Sequence, residues 1–201
     1  MRNNRGTWFE EFADDVQNEI RDLQLAYPWV VTNWVGSRRT KLGDYRPKSE
    51  FEKSAHITLN KDLKPFVALL VWIHEFAHHL TWLEYGTKVN PHGKEWKYAF
   101  RDLYFSRFVN AFPENWQNDL RVYFQNPTAT TFSHRVLRKY YQPEEASGLP
   151  ELSELPDGSC FNFRHREFKR LKRLRTYILC CELDSGRKFR INGACRVKLT
   201  Q

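Results

Sequence analysis

The chain has 201 residues, 41% hydrophobic and 28% charged, enough for one sizeable core with a small appended module but short for two full domains. Its seven Trp and fifteen Phe exclude an intrinsically disordered chain, which lacks the apolar side chains that offset the entropy of ordering. The formal charge of +8 is uneven: residues 160–201 hold twelve Lys/Arg and three Asp/Glu, or +9, while the remainder holds 20 and 21, or −1.

The N-terminus carries Arg2 and Arg5 but runs into an acidic amphipathic segment rather than an apolar signal core, so export is not expected and a cytoplasmic protein is. Thr7 with Glu10 three positions on has capping-box spacing, and Phe9, Phe12, Val16, Ile20 and Leu23 recur at helical intervals, predicting a first helix that ends near Pro28. Residues 29–35 are β-branched and aromatic, and Gly36-Ser37 precedes the basic run 38–41; the pattern predicts a hairpin. A polar stretch with Gly43, Asp44 and Pro47 follows, then the alternating segment 55–59, a further strand.

From about Pro65 to Tyr85 the period is helical, and Gly86 is a natural stop. The longest uninterrupted apolar run, 66–73, falls far below the roughly 20 residues that cross a bilayer, so no membrane span is expected. Asn90, Pro91, His92 and Gly93 form a turn, and helices are expected over 94–109, 114–124 and 132–141. Residues 142–159, with three Pro and two Gly, read as a linker. Beyond it, short strands are expected at 159–163, 173–182, 187–191 and 196–199, with a turn at 184–186. The expected class is therefore α+β: a small antiparallel sheet plus several helices over 1–141, a linker over 142–159, and a small basic all-β module over 160–201.

The segment His74-Glu-Phe-Ala-His78 carries the chemistry. Histidines four apart lie one above the other on a helix and can share one ion, and the glutamate between them stands beside it. Three protein ligands and an open position make a catalytic zinc site, at which a glutamate such as Glu75 can accept a proton from the metal-activated water. Zn2+, one ion, is the expected cofactor. The third ligand is either His92, 14 residues after His78 in a tight turn, or Glu95. His79 points away from the His74/His78 stripe. The metzincin pattern is excluded, because position 84 is Glu and the only Met is Met1.

These residues resemble the SprT-like family of zinc proteins, which includes the Spartan proteases of DNA-protein crosslinks. The matching pieces are Arg39-Thr-Lys-Leu-Gly-Asp-Tyr-Arg-Pro47, Ala55-His-Ile-Thr-Leu-Asn60, His74-Glu-Phe-Ala-His78 and His92-Gly-Lys-Glu-Trp96, within about residues 7–140. The resemblance implies a zincin-like domain, metal ligands His74, His78 and His92, Glu75 as the catalytic group, and endopeptidase activity on protein or peptide substrates. Many SprT-like proteins end in a zinc ribbon with paired cysteines; Cys160, Cys180, Cys181 and Cys195 lack that spacing, so a degenerate ribbon-like module is expected.

In that tail Arg164, Arg166, Lys169, Arg170, Lys172, Arg173 and Arg175 alternate with Phe161, Phe163, Phe168 and Tyr177, a pattern that can hold phosphates and stack on bases. DNA is the expected partner, with a nucleoid-associated cytoplasmic location. The alternative from another class is a DNA-associated binding protein whose zinc is structural, closed by a fourth ligand such as His79, Glu95 or His134.

Overall fold

The computed structural model describes residues 8–38, 41–141, 148–175 and 177–200. The chain divides into two compact units, Met1–Tyr141 and Gln142–Gln201.

In the first unit the leading helix, α1 (Asp14–Ala26), starts later than the capping-box spacing predicts. Thr7 lies outside the described residues. Phe9 and Phe12 bury in a turn before the helix, and Gln17 Nε2 donates to Phe12 O at 2.8 Å, closing that turn with a side chain. The apolar periodicity thus reports burial across a turn that is not yet helical.

Three strands follow: β1 (Val30–Val35), β2 (Gly43–Arg46) and β3 (Ala55–Asn60), in the order β1-β3-β2. β1 runs parallel to β3 and β2 antiparallel to it. The expected hairpin and purely antiparallel sheet are therefore corrected to a mixed sheet. The reason lies in β3, whose Ala55, Ile57 and Leu59 are fully buried and which takes the centre, while the chain after β1 leaves the sheet. Arg38 anchors that departure, donating from Nε to Asn60 Oδ1 at 2.9 Å and from Nη1 to Thr58 Oγ1 at 3.0 Å.

α2 (Pro65–Tyr85) starts with Pro at its first turn, where a missing N–H removes no hydrogen bond. It ends at Gly86, whose φ of 59° suits a residue without Cβ. Unlike the amphipathic α1, α2 buries residues on every side, Val67 through Ala77 in an unbroken run, so it is the central helix of the unit. By length and composition it could cross a membrane, yet 72% of its most apolar window is buried inside the protein. β2 and β3 pack on one side of it and α3 (Lys94–Leu103) on another. The α3 path continues as a π-helical turn, Tyr104–Phe108, and a 3-10 turn, Val109–Ala111, instead of one regular helix. α4 (Glu114–Tyr123) lies where the spacing predicts it. The last expected helix resolves into a 3-10 turn, Thr131–Ser133, and the short α5 (Arg138–Tyr141).

The second unit is a five-stranded antiparallel sheet of β4 (Cys160–Phe163), β5 (Arg166–Arg173), β6 (Tyr177–Glu182), β7 (Lys188–Asn192) and β8 (Lys198–Leu199), ordered β7-β6-β5-β4-β8. One side covers a core of Leu152, Leu155, Phe161, Phe168, Ile178, Cys180, Ile191 and Val197. Leu152 and Leu155 belong to the segment expected as linker. Its residues 142–147 lie outside the described residues, but Glu151 bridges Arg196 and Leu152 N donates to Cys195 O at 2.8 Å, so the segment from 150 onward is part of the folded unit. Arg164 and His165 form the tight turn between β4 and β5 with φ of 53° and 62°, a conformation that the twist of a two-residue hairpin imposes even on residues with a Cβ.

Candidate metal centre

His74, Glu75 and His78 sit on α2 beside β2. His92 arrives from the turn after the helix: Gly93 N donates to Asn90 O at 2.9 Å, with Asn90 first, Pro91 second and Gly93 last, the residue preferences of a type I turn. Gly93 then caps α3. The turn projects His92 back onto α2.

His92 Nε2 lies 3.0 Å from His78 Nε2 and 3.3 Å from His74 Nε2. Among the described residues, these three histidines are the only group of metal-ligating atoms close enough to share an ion. The spacing suits zinc, because zinc–nitrogen bonds of about 2.0–2.1 Å at tetrahedral angles place ligand nitrogens about 3.3 Å apart. The protonation chemistry agrees. Burial holds His74 well below its ordinary 6.5, with the charges of His78 and His92 adding to it; burial also brings His78 down to about 3 and lowers His92. Neutral imidazoles are the form that binds a metal.

The alternatives to His92 lie elsewhere. Glu95 directs one carboxylate oxygen to 3.0 Å from where a Gly93 Cβ would stand and the other to 3.9 Å from Lys94 Nζ. His79 is fully buried, its Nδ1 3.0 Å from Tyr45 OH, and so ties α2 to β2. His134 packs edge-on against Tyr123 at 5.3 Å.

Glu75 is 8% exposed. Burial pushes its carboxyl up to about 8 and Asp44 adds to this, while Arg38, Lys41 and a hydrogen bond from the Tyr45 backbone draw it back. Asp44 is itself held low by Lys41 and Arg46, at 2.7 and 3.2 Å, against the raising effect of its burial. Gly43 permits the close approach of β2 to this carboxylate: a Cβ there would stand 2.6 Å from Glu75 Oε1 and 2.6 Å from Val71 Cγ1. The three-histidine cluster and Glu75 open onto a cleft of about 760 Å³ lined on one wall by β2 and on another by residues from the 86–92 segment.

A family model described as the SprT-like family matches residues 7–115. The chain belongs to the SprT-like family. No curated protein and no solved structure matches it. The SprT-like match spans Gly43, the three-histidine cluster and Trp96, but ends at α4, short of the residue of about 140 to which the sequence resemblance extends. Arg39 and Thr40 of the resembling stretch lie outside the described residues.

Trp96 has a role that helical spacing alone did not separate from core packing. Its buried ring lies 4.6, 5.3 and 4.7 Å from the rings of His74, His78 and His92, and its Nε1 donates to His74 O at 3.4 Å. Its place in the resembling segment His92-Gly-Lys-Glu-Trp96 was the available signal. Gly43 entered only as part of the resembling stretch 39–47, and Thr131, whose hydroxyl lies 3.2 Å from His74 Nδ1, carried no signal in a single sequence.

The seven basic tail residues do not form one surface. Lys169 and Lys172 face away from the core of the second unit, in cross-strand rows with Lys188 and Arg190. Arg170 departs from the expectation: only 6% exposed, it donates from Nε to Leu152 O at 3.2 Å and pairs with Asp157, which satisfies the guanidinium inside the fold. Arg166 lies over the rings of Phe168 and Phe189 and pairs with Glu182 at 2.8 Å. Arg164 sits at the turn over Phe163, and Arg173 and Arg175 are exposed near the β5–β6 connection. Cys160 and Cys181 flank Lys169 on the outward face, whereas Cys180 is in the core.

Proposed function

We propose that the chain is a zinc-dependent endopeptidase with a zincin-like catalytic domain, acting on DNA-associated proteins. The observation that carries this reading is a cluster of three converging histidines, open to a cleft, with a buried carboxylate beside it. A structural zinc takes four protein ligands, and among the described residues no fourth candidate joins these three.

When bound, the ion supplies a Lewis acid that polarises the scissile carbonyl and lowers the pKa of a water. Glu75, beside the three histidines, would accept a proton from the attacking water and deliver it to the leaving amine. Trp96 keeps the three imidazole rings in register. The substrate lies extended along β2, whose one edge pairs with β3 and whose other edge faces the cleft, so backbone hydrogen bonds hold the peptide whatever its sequence. β3 is the central strand and has no free edge to offer. Glu75→Gln is isosteric and removes only the base: bound metal should be retained and cleavage of a denatured protein substrate lost. Unchanged proteolysis by the purified variant removes the assignment.

The DNA association rests on the outward face of the second unit. Lys169, Lys172, Lys188 and Arg190 share it with exposed Tyr177, and charge next to an exposed ring suits phosphates and unpaired bases.

A further inference from the structure

His74 is the most enclosed of the three histidines, and its ring is held from behind. Its Nδ1 lies 3.2 Å from Thr131 Oγ1; that oxygen lies 3.2 Å from Tyr123 OH; and Tyr123 OH lies 3.0 Å from the carbonyl oxygen of Thr128. Thr131 is 7% exposed and Tyr123 fully buried, while Thr128 is exposed. One proton arrangement pairs all four groups within the protein. The Thr128 carbonyl can only accept, so Tyr123 donates to it its single proton, which burial holds in place up to about 12. The Thr131 hydroxyl proton turns to the Tyr123 oxygen. The Thr131 oxygen accepts from His74, whose proton must sit on Nδ1. Nε2 is left with its lone pair directed at His92 and His78. The hydrogen bonds of those two histidines run instead through Nε2, within the cluster itself.

We propose that Thr131 and Tyr123 are positioning residues of the metal centre, setting the tautomer and ring orientation of His74 through a relay that ends on the Thr128 carbonyl. Both residues lie beyond the span that the SprT-like family model matches. The relay rests on the reading of His74, His78 and His92 as metal ligands. It makes the turn at 128–133 and the C-terminal end of α4 part of the site, although neither contributes a ligand. Partners of this kind change metal affinity by about 10–100-fold when removed.

The test uses the full chain and Zn2+ in competition with a chromophoric chelator. Thr131→Val keeps the branched shape and removes the hydroxyl, and should weaken Zn2+ about 10–100-fold. Thr131→Ser should restore wild-type affinity. Tyr123→Phe leaves Thr131 able to accept and should fall between. Thr131→Val binding Zn2+ as wild type does, or Thr131→Ser binding as weakly as Thr131→Val, overturns the proposal. A second readout is independent of metal: imidazole nitrogen NMR of the metal-free wild type should show His74 protonated at Nδ1, and protonation at Nε2 overturns the relay even where Thr131→Val does not fold. If wild type binds no Zn2+ while the tautomer is as stated, the metal reading has failed and the relay stands.

Discussion

Burial acts on Glu75 and on the three histidines in opposite senses, and pH separates them. The histidines are neutral in the fold well below 6.5, so the folded chain binds fewer protons than the unfolded one. Their contribution to stability is fully present above 6.5 and is lost as pH falls from there towards the folded values, about 3 for His78. In the metal-free fold Glu75 stays protonated up to about 8, against 4.5 unperturbed. Its contribution is present below 4.5 and is lost as pH rises to about 8. Above 6.5 only Glu75 of these four still changes, so chelator-treated protein should lose stability between 6.5 and about 8, and Glu75→Gln should flatten that decline. Urea unfolding from about pH 4 to about pH 9 checks this; an alkaline decline that persists in Glu75→Gln contradicts it. Residue by residue, His74 and His78 were legible because they repeat at helical spacing, and His92 because its turn and the family resemblance both pointed to it. Thr131 was not, because its meaning is a hydrogen bond across 57 positions.

At the scale of elements, the site depends on how closely β2 lies on α2. With Cβ clashes at 2.6 Å on both Glu75 and Val71, Gly43→Ala should lower stability by about 1–3 kcal/mol as the contact is overpacked. It should also impair hydrolysis by shifting Glu75, while metal content stays at the wild-type level, because no ligand lies in the clash. Wild-type unfolding and activity in that variant contradict the close approach. α2 was legible from its period and its Gly86 stop. β2 was not: four residues, Gly43–Arg46, with two charges read as loop until paired with β3. β5 was hidden for a related reason. Its alternation runs between Lys169 outside and Arg170 inside, so polarity did not mark the buried face. The hairpin expected after β1 failed because local turn signals do not say which later strand takes the centre of a sheet.

For the whole molecule, the charge asymmetry belongs to the second unit, where Lys169, Lys172, Lys188 and Arg190 share one face while Arg170 is buried and Arg166 pairs with Glu182. Reversal of Lys169, Lys172, Lys188 and Arg190 to Glu in the full chain should weaken single-stranded DNA binding and flatten its salt dependence. Retained affinity with the wild-type salt slope contradicts a role for that face. The central claim is the three-histidine centre in the first unit, and metal content measured on purified wild type beside His92→Ala and Glu95→Ala tests it most directly. The geometry predicts one zinc per chain in wild type and in Glu95→Ala, and its loss in His92→Ala. Full zinc in His92→Ala, with loss in Glu95→Ala, would contradict it.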